Sequence, residues 1–144
     1  MINIICIGKI KENYLKDMIN DYKKRIEKYH KINIIEIPDN SLEQETNNIL
    51  KNIKSNDYVI ALAIEGKEVD SLEFSKLIDK TFINYPTIDF IIGESNGLSN
   101  EVKEKANMLL SFSNLTFPHG LFRGILLEQI YRSFKILNNE SYHK

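Results

Sequence analysis

The residues with chemical potential lie mostly in the second half of this chain. Ile91-Ile92-Gly93-Glu94-Ser95-Asn96-Gly97-Leu98-Ser99 carries an apolar run into a loop with two glycines and then into a capped segment. Glycines there let the backbone approach a ligand or adopt positive φ, and a tight turn explains them equally well. Other familiar chemistries fail on their residues. There is no G-x-x-x-x-G-K-[ST], Gly8-Lys9-Ile10-Lys11 is not G-x-G-x-x-G, and no G-x-S-x-G elbow exists. A phospho-acceptor site would want acidic residues where Gly8-Lys9 stands. His30, His119 and His143 are far apart and no C-x-x-C occurs, so no metal is expected.

The elements that must position such a loop follow from periodicity. Residues 2–7 are β-branched and apolar and stop at Gly8, as a buried strand does. Leu15, Met18, Ile19, Tyr22, Ile26 and Tyr29 trace an amphipathic helix. Residues 32–37, 58–64, 88–92 and 108–112 read as further strands, the run 58–64 closed by Glu65-Gly66-Lys67. Ser41 with Gln44, Asp70 or Ser71, and Ser99 can cap the intervening helices. Thr116 and Pro118 read as N-cap and first-turn proline of a last helix that runs to Asn138-Asn139. Strands alternating with helices imply an α/β fold with a mainly parallel sheet and helices on both faces. Ligands bind such sheets at the carboxyl ends of strands, here after residues 64, 92 and 112.

The 144 residues carry 42% apolar and 27% charged side chains, and neither linker nor repeat divides them, so residues 1–144 form one domain. The lone cysteine, Cys6, lies in an apolar run and reads as a buried, inert thiol. No apolar run approaches the ~20 residues of a membrane span, and the N-terminus reads as a strand rather than a signal peptide. A cytoplasmic location is therefore expected, with no membrane partner. The net charge of −1 argues against nucleic acid only as a sum. Residues 1–37 hold 8 basic and 5 acidic groups, residues 38–117 hold 7 and 13, and residues 118–144 hold 4 and 2. If the two basic ends share a face, they make a local basic surface.

The last third is the most specific segment. It contains Ser111-Phe112-Ser113-Asn114-Leu115-Thr116-Phe117-Pro118-His119-Gly120-Leu121-Phe122-Arg123, then Leu127-Glu128-Gln129-Ile130-Tyr131-Arg132-Ser133-Phe134-Lys135, and ends in Tyr142-His143-Lys144. With Ile7-Gly8-Lys9-Ile10-Lys11, Leu62-Ala63-Ile64-Glu65-Gly66-Lys67 and the glycine loop, it resembles the ribosomal large-subunit methyltransferase H family, single-domain SPOUT methyltransferases, over essentially the whole chain. The resemblance implies an α/β knot, a C-terminal trefoil on a sheet of five to six strands. It implies S-adenosylmethionine bound by Leu62, Gly93, Phe112, Ser113, Asn114, Leu115, Thr116 and Phe117. It implies methylation at N3 of a pseudouridine in 23S rRNA on the assembled ribosome, by a homodimer. It puts Tyr142 and His143 near the acceptor, with His119, and Arg123 and Lys144 on phosphate or base.

Plainer roles stand beside these. His119 can cap or orient the last helix, Arg132 with Glu128 has ion-pair spacing, and the tail can fray. Two departures from the family pattern stand out: Glu94 where a second glycine is usual, and Gly124 inside the last helix, at about 1 kcal/mol against Ala. The segment from Pro38 to Asp57 is also shorter than usual. The alternatives are a ribosome-binding α/β module that lost its cofactor, or a small-nucleotide-binding protein unrelated to RNA.

Overall fold

Strands and helices alternate along the whole chain. The computed structural model describes residues 1–94 and 97–144; Ser95 and Asn96 of the glycine loop lie outside the described residues. The elements are β1 (Ile2–Ile7), α1 (Asn13–Glu27), β2 (Ile32–Ile37), α2 (Leu42–Lys51), β3 (Asp57–Glu68), α3 (Ser71–Asn84), β4 (Thr87–Ile92), α4 (Asn100–Lys105), β5 (Met108–Ser111) and α5 (His119–Leu137). They build one five-stranded sheet in the order β2-β1-β4-β3-β5, with every described pairing parallel. No described helix is long and apolar enough to cross a membrane.

The strands are apolar on both sides because both faces are covered. Ile4, Phe90 and Ile60 lie side by side in register, all at zero exposure. They belong to the core under α1, α3 and α5. Their neighbours Ile5, Ile91 and Ala61 turn to the other face, under α2 and α4. Cys6 is buried, and burial pushes its thiol up to about 11, which leaves it inert. On the first face α5 packs between α1 and α3. A Cβ on Gly124 would stand 2.8 Å from Met18 Sδ, so this glycine is what lets α5 approach α1. The trefoil threading implied by the family resemblance is consistent with this strand order and packing.

Capping follows the sequence at three helices. The Ser41 and Ser99 hydroxyls accept from the backbone N–H of Gln44 and Val102, and Asp70 forms a full capping box with Glu73. Thr46 Oγ1 also donates to Ser99 Oγ at 2.7 Å, tying α2 to α4.

Two boundaries differ from expectation. β3 does not stop at Glu65-Gly66-Lys67. It bulges after Leu62 and pairs with β5 again at Lys67 and Glu68. A Cβ on Gly66 would lie 2.6 Å from the backbone of Leu109 and Leu110, so Gly66 permits a close strand contact rather than a turn. The last helix begins at His119 with Pro118 as its cap residue, and no side chain caps it. Thr116 is left in the irregular run before it.

Arg123 also departs from the sequence reading. It is 1% exposed, so it does not reach out to phosphate or base. Its Nη1 donates to Glu36 Oε2 at 2.7 Å and its Nη2 to the Gly8 carbonyl at 3.1 Å. The guanidinium therefore pins the second turn of α5 to the ends of β1 and β2.

Two outcomes follow from these buried charges. Arg123→Ala should lower the free energy of urea unfolding by about 2–3 kcal/mol, less than the ~3–5 kcal/mol of fully buried pairs because Glu36 keeps solvent access; an unchanged midpoint would contradict the pinning. Asp89 is wholly buried, accepting from Asn3 Nδ2 at 2.9 Å on one oxygen. Burial, then the Asp57 carboxyl, push it up to about 7. A raised folded-state value means stability is fullest at low pH. It should decline as pH rises from about 4, where the unfolded chain ionises, to about 7, and level beyond. Asp89→Asn should flatten that decline in thermal melts across pH.

Candidate cofactor cleft and C-terminal tail

Parallel pairing sets the bulge of β3 at Leu62–Glu65 beside the carboxyl ends of β4 and β5, and with the segments that follow β4 and β5 it encloses a cleft of about 490 Å³. Leu62, Ile92 and Leu110 give it an apolar base. All the cofactor residues expected from the sequence line it except Asn114, which sits exposed in the same run. The glycine loop closes tightly, with Gly97 N–H donating to Glu94 O at 2.7 Å. A Cβ on Gly93 would meet the Gly97 backbone at 2.9 Å. Gly93 thus serves the turn and the cleft at once.

The run from Phe112 to Phe117 is held in shape by its own contacts. Ser111 Oγ donates to the Ser113 carbonyl at 3.2 Å, and Leu115 N–H donates to Ser113 Oγ at 2.9 Å. Phe112 packs edge-on against Phe74 and Phe122, and Phe117 stacks on Phe122. Apolar side chains remain uncovered at the rim: Leu115 is 73% exposed and Ile64 54%. An apolar base, an apolar rim and a turn-rich backbone are what a heterocyclic ligand needs for stacking and hydrogen bonding.

The ionisable side chains at the cleft are Glu94, His119 and the Lys103–Glu65 pair. His119 is the first residue of α5 and lies with Nε2 3.8 Å from Glu94 Oε1. It caps nothing. Behind Glu94, Asp39 and Glu45 bring carboxyl oxygens within 4.8 Å of one another and of Glu94. A hydrogen bond with Asp39, then burial and the Asp39 and Glu45 charges, push Glu94 up to about 7. Sequence reading singled out Glu94 but not its companions, which come from the β2–α2 turn and α2, remote along the chain.

The tail lies elsewhere. Tyr142 Oη donates to Glu128 Oε2 at 2.8 Å, and the Arg132 guanidinium sits 4.8 Å over its ring. Arg132 Nη1 donates to His143 Nδ1 at 3.1 Å, which leaves a neutral ring its proton on Nε2. Burial and Glu128 push the Tyr142 phenol up, so it is a hydrogen-bond donor rather than a base. The Arg132–Glu128 ion pair expected from spacing is present at 2.8 Å, and it also docks the tail, a role its spacing gave no sign of. At ~1.5 Å per residue, Glu128 and Arg132 stand about 14–20 Å along α5 from His119. One chain therefore brings His119 to the cleft but not Tyr142 or His143, and Lys144 is exposed at the far end.

Comparison with known proteins agrees with this geometry. A family model described as "Predicted SPOUT methyltransferase" matches residues 1–143. Two proteins from Clostridium botulinum strains, each named ribosomal RNA large subunit methyltransferase H, are 52% and 50% identical, with 99% of each chain covered. Among solved structures, a probable methylase family protein from Haemophilus influenzae superposes with a TM-score of 0.61 at 18% identity, covering 99% of this chain and 70% of that one. The SpoU methyltransferase AviRb from Streptomyces viridochromogenes, in complex with AdoMet, gives 0.51 at 12% identity, covering 92% and 57%. These structures share the fold, and the sequence matches settle the relationship: the chain belongs to the SPOUT methyltransferases, in the ribosomal RNA large subunit methyltransferase H family.

Proposed function

We propose that this chain transfers a methyl group from S-adenosylmethionine to N3 of a pseudouridine in 23S rRNA, on the assembled ribosome in the cytoplasm, as a homodimer. The observation that carries the reading is the cleft at the bulge of β3 and the ends of β4 and β5. It is lined by the residues that match the family's cofactor positions, while the tail that matches its acceptor positions docks well away on α5. AdoMet in the related AviRb structure supports the choice of cofactor.

The residues present fit that ligand. Leu62, Phe112 and Leu115 offer apolar surface to an adenine ring, and the backbone from Ser113 to Phe117 offers amides and carbonyls for its edge. When bound, the cofactor supplies an electrophilic methyl sulfonium, so the protein's work is positioning and proton removal. His119 stands at the cleft to orient the acceptor. Tyr142 and His143 belong on the acceptor side, and the length of α5 between them and His119 supports their delivery by a second copy. Basic residues of the N-terminal third come close to the last helix because α1 packs on α5, which suits a local contact with a folded rRNA site.

Calorimetry on the folded protein should show one S-adenosylmethionine site per chain; absence of binding would favour a module that kept the fold and lost the cofactor. Tritiated-methyl transfer to ribosomes lacking the modification should then label 23S rRNA. Label on tRNA with none on rRNA would contradict the substrate assignment.

A further inference from the structure

Glu94 departs from the family pattern, and the structure gives it specific company. Its carboxyl lies beside Asp39, with Glu45 behind and His119 Nε2 at 3.8 Å. Asp39 and Glu94 flank Gly8: a Cβ there would stand 3.4 Å from Asp39 Oδ2 and 3.6 Å from Glu94 Oε1. Nearby cations are engaged elsewhere. Arg123 is spent on Glu36 and the Gly8 carbonyl, and Lys103 on Glu65. Among the described residues no lysine or arginine pairs with Asp39, Glu45 or Glu94. Glu45 accepts from the Asn40 N–H at 2.9 Å, which fixes it in place. Clustered carboxyls without a cation relieve their repulsion by sharing a proton, and His119 is the imidazole within reach of Glu94.

We propose that Glu94, backed by Asp39, is a positioning residue that takes up through His119 the proton released by the methyl acceptor. This rests on the methyltransferase reading. In the step, the acceptor's N–C bond forms as the C–S bond breaks, and the sulfonium becomes a neutral thioether. The N–H electron pair stays on the acceptor ring. The proton passes to one nitrogen of His119, and the proton on Nε2 passes to the Glu94 carboxylate. The 3.8 Å separation is one that tightens when a site is filled.

The pH dependence has a defined sign. Glu94 accepts a proton only when ionised, and Asp39, Glu45 and partial burial hold it near 7. Single-turnover methyl transfer at saturating cofactor should therefore rise with pH through about 7. Glu94→Gln should slow it about tenfold or more and remove that rise, with S-adenosylmethionine affinity by calorimetry essentially unchanged. Asp39→Asn should move the rise to lower pH. An unchanged rate and profile in Glu94→Gln would overturn the proposal, as would a loss of cofactor affinity that accounts for the lost rate. The ¹³C signal of the Glu94 carboxyl provides a readout independent of turnover. It should titrate near 7 and move down in Asp39→Asn, and titration in the ordinary carboxylate range overturns the shared proton. If the unsubstituted chain methylates no RNA while this titration remains, it is the methyltransferase reading that has failed, and the relay with it.

Discussion

Parallel pairing is the constraint from which the rest of this molecule follows. Parallel neighbours cannot be joined by a hairpin, so each strand is followed by a crossover helix, and the helices cover both faces. That coverage is why β1, β4 and the Tyr58–Ile64 part of β3 are mostly apolar. It also sends the carboxyl ends of all five strands to one edge. The bulge of β3 and the segments after β4 and β5 meet near there, and a cleft lined by Leu62, Gly93 and most of the Phe112–Phe117 run results. The site is a by-product of strand direction.

Placing α5 is the second requirement. Its first residue, His119, belongs to the cleft, and its later turns carry the docked tail. Three devices hold it. Arg123 binds it to the ends of β1 and β2, Gly124 lets it settle against Met18 of α1, and Phe122 stacks on Phe117 of the cleft wall. A buried arginine on the second turn of a helix is an expensive way to fix an orientation, since both charges must be desolvated. Its partner Glu36 remains partly exposed, which lowers that cost. The same rigidity separates the tail from the cleft, because a straight helix cannot bring His119 and Arg132, more than three turns apart, to one point.

How much could be read from residues alone depended on the range of the interaction involved. Strands buried on both faces and helices with one apolar stripe announce themselves in local periodicity, and Ser41, Asp70 and Ser99 mark helix starts through short hydrogen bonds. Gly66 misled because a glycine admitting a neighbouring strand looks the same as a glycine making a turn. Arg123 misled because its partner Glu36 is 87 positions away and arginine is ordinarily a surface residue. The meeting of Asp39, Glu45 and Glu94 was illegible for the same reason: only the fold brings the β2–α2 turn against the glycine loop. The location of the cleft was foreseen from strand ends, whereas the roles within it came from the resemblance carried by Phe112–Arg123 and Tyr142-His143-Lys144.

In the proposed enzyme, the cleft and the tail of one working site come from different copies of the chain. The most direct measurement mixes two inactive variants after joint refolding: one with Gly93→Val, which blocks the cleft, and one lacking residues 141–144. If the site is shared, neither alone methylates rRNA and the mixture does, because a mixed pair joins one intact cleft to one intact tail. If the mixture stays as inactive as its parts, although mixed pairs form, each chain must complete its own site and the shared site is contradicted.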